Sequence, residues 1–273
     1  MWPGRESICT LVVGVGAEPD SPQGWGRVYS PAPMILDRPT GRLAHAWAYT
    51  LFMSAKAMHA KASGASDERV CEYTKEWAGG LRPRIDVEVR AHGFDAIDWS
   101  RTYVLMANHQ SYLDVLALYS ALPRTFGFIA KKELYMIPFF AGVMRAIGCV
   151  PVDRSKRQEA MLMLREAAEK VRAGSTIAVF PEGTRSRGDR ILPMKKGPFY
   201  LTQMAQVETI PIGIRGSHRL MPRENTAIWS GVIEIHAGAP IPPPAPHDAA
   251  ARKALMTRTR EELARLAALP MMD

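Results

Sequence analysis

A histidine and an aspartate five residues apart are the side chains in this 273-residue chain best suited to chemistry. They lie in the segment Asn108–Asp114, which reads NHQSYLD. The imidazole of His109 can take a proton near neutral pH, and the carboxylate of Asp114 can orient it and stabilise the imidazolium if the chain folds back between them. The alternative is that Ser111-x-x-Asp114 is a helix-capping pattern and that His109 is an ordinary loop histidine.

A second polar segment, residues 180–186 (FPEGTRS), follows an apolar run. Gly183 allows the backbone to approach a ligand closely, while Thr184 and Ser186 offer hydroxyl groups. Arg185 offers a planar fork of N–H donors that suits an oxyanion such as phosphate. The alternative is a polar turn between a strand and a loop, with solvated charges.

The positive charge of the chain is concentrated in two stretches. Lys and Arg number 35 against 27 Asp and Glu, a net charge of +8. Residues 124–157 have a net charge of +5 and residues 182–196 a net charge of +3, which together equal the whole excess. Net charge informs about partners, here nucleic acid, an anionic membrane or an anionic substrate. Because the basic residues follow strand ends and few aromatics interleave with them, we expect no nucleic-acid partner.

The cysteine pattern argues against both a disulfide framework and a metal site. Cys9, Cys71 and Cys149 are odd in number and widely spaced, which indicates a reducing compartment. No Cys/His pair has metal-ligand spacing, so a phosphodiesterase that uses His and Asp on a metal ion lacks further ligands.

Apolar spacing along the chain predicts three regions. Residues 1–42 show no stable period and are predicted to be irregular. Residues 43–80 are predicted to be an amphipathic helical pair with possible membrane contact, and residues 81–273 an α/β domain. In that domain, helices at 113–122, 134–146, 157–173, 196–205 and 248–266 alternate with strands at 85–89, 103–107, 126–130, 148–152, 176–180, 209–214 and 232–236. We therefore expect a mixed, largely parallel sheet flanked by helices, with functional residues at the C-terminal ends of the strands.

Two apolar segments have more than one interpretation. In the first predicted helix, Leu43, Trp47 and Leu51 share a face that could pack on the domain or enter a lipid surface, and helical spacing does not decide between them. Residues 134–152 are apolar, but Pro138 and two glycines interrupt them, so a buried helix followed by a strand is favoured over a membrane span.

Taken in order, the segments resemble the glycerolipid acyltransferase family, in particular the bacterial 1-acyl-glycerol-3-phosphate acyltransferases. The resemblance rests on the His-x-x-x-x-Asp box at 108–114, the strand ending in Asp-Arg at 153–154, the complete FPEGTRS box at 180–186 and the Pro-containing apolar strand at 210–212. The KKEL sequence at 131–134 and the apolar residues 137–140 also look like that family. The resemblance covers about residues 85–241.

The resemblance implies roles for individual residues. His109 is expected to act as general base on the acceptor hydroxyl, oriented by Asp114. The acceptor phosphate site is expected to comprise Lys131, Arg154, Glu182, Gly183, Thr184 and Arg185. The strand Ile210–Ile212 is expected to help shape the region of the acyl donor.

The implied reaction transfers a fatty acyl group from acyl-CoA or acyl carrier protein to the free hydroxyl of 1-acyl-glycerol-3-phosphate. The family uses direct transfer with no bound cofactor and no metal, and this chain has no Gly-x-Ser-x-Gly elbow. Backbone N–H groups near the start of the helix after Asn108 are one source of donors for the developing oxyanion. The implied location is the cytoplasmic face of the inner (plasma) membrane, bound peripherally or monotopically at an anionic surface.

Two alternatives remain at this stage. The same chemistry could act on another lysolipid acceptor, such as a lyso-ornithine lipid. The chain could also be a non-catalytic protein that binds anionic lipid, although the presence of both His109 and Asp114 argues against it.

Overall fold

The computed structural model describes residues 38–152, 157–188, 190–225 and 227–272. Of the segment predicted to be irregular, residues 1–37 lie outside these ranges, while Pro39 and the three residues after it already belong to the first helix. Asp153 and Arg154, the predicted Asp-Arg strand end, also lie outside them.

The described residues form eight α-helices, one short 3₁₀ helix at Lys132–Met136 and seven strands. The helices are α1 (Pro39–Ala62), α2 (Asp67–Arg84), α3 (Leu113–Ala121), α4 (Phe140–Ala146), α5 (Arg157–Arg172), α6 (Gly197–Ala205), α7 (Ser217–Leu220) and α8 (Ala249–Ala267). The strands are β1 (Val87–His92), β2 (Val104–Ala107), β3 (Gly127–Lys131), β4 (Val150–Val152), β5 (Ile177–Val179), β6 (Thr209–Arg215) and β7 (Gly231–Ala237).

In the described part of the chain, the strands form one sheet of order β1-β7-β6-β2-β5-β3-β4. Neighbouring strands run parallel except for β6 and β7, which are antiparallel. The prediction of a mixed, largely parallel sheet flanked by helices is therefore confirmed.

Both faces of the sheet are covered, as parallel sheets require. Strand β2 shows this best, because its alternate residues enter different clusters. Leu105 and Ala107 pack into the core beneath α2 and α3, whereas Val104 and Met106 pack into the core beneath α5, α6 and α8. A strand buried on both faces has no polar position, which explains its uninterrupted apolar sequence.

The strand order brings the two polar segments together. Strand β2 pairs in parallel with β5, with Val104 opposite Ile177 and Met106 opposite Val179. The C-terminal ends of these strands therefore meet at one edge of the sheet, where the chain continues into residues 108–114 and 180–186. Strand β3 lies on the other side of β5 and ends at Lys131, at the same edge.

Proline explains one of the differences from the predicted elements. The helix expected at 134–146 is divided by Pro138, so that a 3₁₀ turn ends at Met136 and α4 begins at Phe140. A second difference lies at the end of α2, which continues through Pro83 to Arg84. The strand expected at 85–89 therefore begins two residues later, at Val87. None of the described helices combines the length and apolarity needed to cross a bilayer. Residues 134–152 form the end of the 3₁₀ turn, α4 and β4, in place of the single buried helix and strand that were favoured.

Helix α1 presents an apolar surface to solvent. Its buried residues include Met53 and Ala57. Trp47 and Leu51, which shared the predicted apolar face, are 49% and 40% exposed, and Phe52 is 62% exposed. The predicted face is therefore divided, since Leu43 packs against the core whereas Trp47 and Leu51 are largely exposed.

Candidate functional site

The His–Asp pair forms in the turn between β2 and α3. His109 Nδ1 lies 2.8 Å from Asp114 Oδ2, and the Asp114 side chain is fully buried while that of His109 is 16% exposed. Because a carboxylate only accepts hydrogen bonds, Nδ1 carries the hydrogen and Nε2 is left as the basic nitrogen. This is the geometry of an imidazole prepared to accept a proton.

The same carboxylate oxygen also holds the backbone of the turn. Asp114 Oδ2 accepts hydrogen bonds from the N–H groups of Gln110 and Ser111, at 2.7 and 2.9 Å. One oxygen of Asp114 thus makes both the backbone contacts of a cap and the contact that orients the His109 ring. These two N–H groups are consequently occupied, so the expected backbone donors for an oxyanion are not found among them.

Asn108 fixes the start of the turn against the neighbouring strand. Its side-chain amide donates to the carbonyl of Ile214 at 2.9 Å and accepts from the N–H of Ile214 at 2.7 Å. Asn108 is fully buried, so this two-way bond replaces water for both groups. The histidine therefore leaves the sheet from a fixed point on β6.

Glu182 joins the two polar segments. Its Oε1 accepts from the backbone N–H of His109 at 2.7 Å, and its Oε2 accepts from that of Leu192 at 2.9 Å. In addition, the N–H of Ser186 donates to the carbonyl of His109 at 2.8 Å. Both backbone polar groups of the histidine are thus held by residues 180–186, an arrangement that sequence alone did not reveal.

The environment of Glu182 changes its acid strength. Burial raises the pKa of the carboxyl group to about 7, although the two backbone N–H donors act to lower it. Only 2% of Glu182 is exposed, so the charged form is costly there.

Phe180 stacks on the imidazole. The two ring centroids are 3.9 Å apart and the planes differ by 13°. Phe128 lies next along the stack, 5.7 Å from Phe180. The stack covers one face of the His109 ring and restricts its rotation, a contact that no motif signal predicted.

Arg185 lies above the turn that carries His109. Its guanidinium carbon is 3.9 Å from the centroid of the Tyr112 ring. Arg223 donates to the backbone carbonyl of Arg185 at 2.8 Å, and Ser111 Oγ donates to the carbonyl of Met221 at 2.9 Å. The segment from α7 to Arg223 therefore borders the site, and sequence analysis missed it because it contains no recognisable motif.

The remaining predicted residues have simpler surroundings. Gly183 adopts a left-handed conformation, φ 74°, that permits the turn after Phe180. Thr184 is exposed on that turn, and Lys131 is exposed at the end of β3. The structure thus brings His109, Asp114, Glu182, Gly183, Thr184 and Arg185 to one edge of the sheet.

Comparison with known proteins agrees with this arrangement. A family model described as Acyltransferase matches residues 88–215, which contain both polar segments. A 1-acyl-sn-glycerol-3-phosphate acyltransferase of Saccharomyces cerevisiae is 38% identical over 144 residues, covering 52% of this chain and 48% of the yeast protein. The crystal structure of the 1-acyl-sn-glycerophosphate acyltransferase of Thermotoga maritima superposes with a TM-score of 0.70 at 25% identity, covering 84% of this chain and 95% of that one.

Residues 88–215 form a domain of the acyltransferase family. The resemblance to the glycerolipid acyltransferase family is thereby confirmed at the level of the family. A chloroplastic 1-acyl-sn-glycerol-3-phosphate acyltransferase of Brassica napus is 35% identical over 139 residues, or 50% of this chain. The match spans only 40% of the length of that plant protein and 48% of the length of the Saccharomyces cerevisiae protein.

The acid strength of Glu182 predicts a pH-dependent stability. Its pKa rises from 4.5 to about 7 on folding, so the folded state holds this proton more tightly than the unfolded state does. The protonated carboxyl group therefore contributes its full share to the free energy of unfolding below pH 4.5. That contribution, up to about 3 kcal/mol, is lost as the pH rises to about 7. Urea unfolding at several pH values should show that the free energy of unfolding of wild type falls relative to that of Glu182→Gln over this range. Parallel pH curves for the two proteins would contradict it.

Proposed function

We propose that this chain is an O-acyltransferase that transfers a fatty acyl group from a thioester donor to the free hydroxyl of 1-acyl-glycerol-3-phosphate, giving phosphatidic acid. The observation that carries the proposal is the His109–Asp114 pair at 2.8 Å, hydrogen-bonded through the backbone of His109 to the segment that carries Arg185. A base and a phosphate-binding group thus belong to one rigid unit. The names of the yeast, plant and Thermotoga relatives support the same acceptor.

The chemistry follows from the remaining nitrogen of the imidazole. His109 Nε2 takes the proton of the acceptor hydroxyl while the oxygen attacks the thioester carbonyl, and Asp114 stabilises the imidazolium that forms. The tetrahedral intermediate then collapses, the C–S bond breaks, and the thiolate takes the proton from His109. Transfer is direct, because a thioester is already an activated acyl donor and needs no covalent enzyme intermediate.

The acceptor phosphate is proposed to bind Arg185, Gly183 and Thr184, with Lys131 contributing from the end of β3. Arg154 is proposed for the same site from the sequence resemblance. Glu182 has a different role in this proposal, because both of its oxygens already accept backbone N–H groups. It holds the phosphate-binding turn against His109 and does not contact the phosphate. A half-buried guanidinium suits a phosphate monoester better than the uncharged or zwitterionic headgroup of other lysolipids.

The donor is proposed to be acyl-CoA or acyl carrier protein, with no bound cofactor. The protein is proposed to work at the cytoplasmic face of an anionic membrane, where its lysolipid acceptor resides. The exposed Trp47, Leu51 and Phe52 of α1 support a peripheral contact, since aromatic and leucine side chains of an amphipathic helix enter the lipid interface. The net charge of +8 supports attraction to such a surface.

Removal of the base should abolish turnover. We expect His109→Ala to lower kcat at least about 100-fold while the fold is retained, because general-base catalysis typically contributes that much. Steady-state assays with lysophosphatidic acid and both an acyl-CoA and an acyl carrier protein check this and identify the donor. The matched control is His59→Ala, an exposed histidine on α1 that should turn over like wild type. Wild-type rates from purified His109→Ala would disprove the general-base role.

Loss of the Arg185 guanidinium should weaken binding of the acceptor and leave binding of the donor unchanged. We expect Arg185→Ala to raise the acceptor KM about tenfold or more with an unchanged donor KM, since a charge-assisted phosphate contact is lost. It should also reduce the preference for lysophosphatidic acid over lyso-ornithine lipid. Arg258→Ala, an exposed arginine on α8, is the control. A change confined to the donor KM would place Arg185 in the donor-binding site and not in the acceptor phosphate site.

The exposed rings of α1 should be needed for lipid binding. We expect Trp47→Ala and Phe52→Ala each to weaken sedimentation with phosphatidylglycerol vesicles several-fold, because each removes apolar area from the interface. Leu162→Ala is the control, since Leu162 is an exposed apolar residue on α5. Equal binding of all four proteins would remove α1 from the membrane contact.

A further inference from the structure

We propose that Tyr112 is a positioning residue that holds Arg185 over the catalytic turn, so that the phosphate and hydroxyl of the acceptor are recognised at a fixed separation. The proposal rests on the acyltransferase function proposed above. Its observation is the guanidinium carbon of Arg185, 3.9 Å from the centroid of the Tyr112 ring. Tyr112 itself is 55% exposed, so its ring is not needed to fill the core.

The contact with Tyr112 restricts the guanidinium without using its hydrogen-bond donors. A guanidinium over an aromatic ring is attracted by the negative face of the ring. Its N–H groups remain in the plane of the fork, which is the direction from which phosphate oxygens approach. Among the described residues, Arg185 forms no ion pair that would compete for those donors, whereas Arg187 nearby is paired with Glu224.

The main chain around Arg185 is already held. Arg223 donates to the carbonyl of Arg185, and the following N–H, that of Ser186, donates to His109. The freedom that remains is in the long side chain, and the Tyr112 ring restricts it. The ring therefore completes the immobilisation of a group whose plane must match the phosphate.

Tyr112 connects the parts of the site that are proposed to bind the hydroxyl and the phosphate of the acceptor. Tyr112 lies between His109 and Asp114, in the turn that Asp114 Oδ2 closes. The residue that orients the phosphate-binding group thus belongs to the same turn as the base. In 1-acyl-glycerol-3-phosphate the reacting hydroxyl and the phosphate ester are on adjacent carbons, so a fixed base-to-guanidinium distance selects acceptors with that spacing.

Kinetics of Tyr112 variants in the full chain test the proposal. We expect Tyr112→Leu to raise the acceptor KM about two- to fivefold, the range for an exposed cation–π contact, with an unchanged donor KM and unchanged thermal unfolding. Tyr112→Phe keeps the ring and should resemble wild type. In an Arg185→Ala background, Tyr112→Leu should have no further effect.

A second substrate tests the spacing. An analogue built on butanetriol places the phosphate one methylene farther from the hydroxyl, and wild type should discriminate against it more strongly than Tyr112→Leu does. Equal discrimination by both proteins would overturn the spacing role.

The outcomes separate this proposal from the function on which it rests. If Arg185→Ala raises the acceptor KM but Tyr112→Leu does not, the positioning role is wrong and the phosphate site stands. If Tyr112→Phe is as impaired as Tyr112→Leu, or if the effects of Tyr112→Leu and Arg185→Ala add, the ring does not act through Arg185. If Arg185→Ala leaves the acceptor KM unchanged, the proposed phosphate site itself fails.

Discussion

The hydrogen bond from the backbone N–H of His109 to the Glu182 carboxylate is the constraint on which the site depends. It joins two segments 73 residues apart in sequence that leave adjacent parallel strands. With the bond from Ser186 to the carbonyl of His109, it leaves the histidine backbone no free polar group. The direction of the His109 imidazole therefore depends on the neighbouring strand end as well as on Asp114.

The buried position of Glu182 destabilises its charged form. Burial raises the pKa of the carboxyl group to about 7, although the backbone N–H groups that it binds favour the carboxylate. The hydrogen bonds from His109 and Leu192 offset part of the free energy lost by removing the charge from water. Aromatic rings connect the two segments in both directions: Phe180 stacks on His109, and the Arg185 guanidinium lies over the Tyr112 ring. Each segment thereby restricts a side chain of the other.

The fold also separates the polar edge of the sheet, where the candidate site lies, from the two faces that helices cover. The polar segments, Lys131 and the bordering stretch from α7 to Arg223 gather where parallel strands end, while the apolar strands are buried between helices. Helix α1 departs from this division by exposing aromatic side chains that a packed helix would bury. This exposed apolar surface is the feature of the fold that supports the proposed membrane contact.

The sequence by itself determined the fold class, the family and the identity of the His–Asp pair, because apolar periodicity and motif spacing are local properties. It also determined the extent of α5, which was predicted at 157–173 and is found at Arg157–Arg172. It could not determine that Glu182 binds backbone N–H groups, that Phe180 covers the imidazole, or that the stretch 217–223 borders the site. Those facts follow from the strand order β6-β2-β5, which brings distant segments to one edge. The exposure of Trp47 was likewise decided by tertiary packing, since helical spacing defines a face but not what lies opposite it.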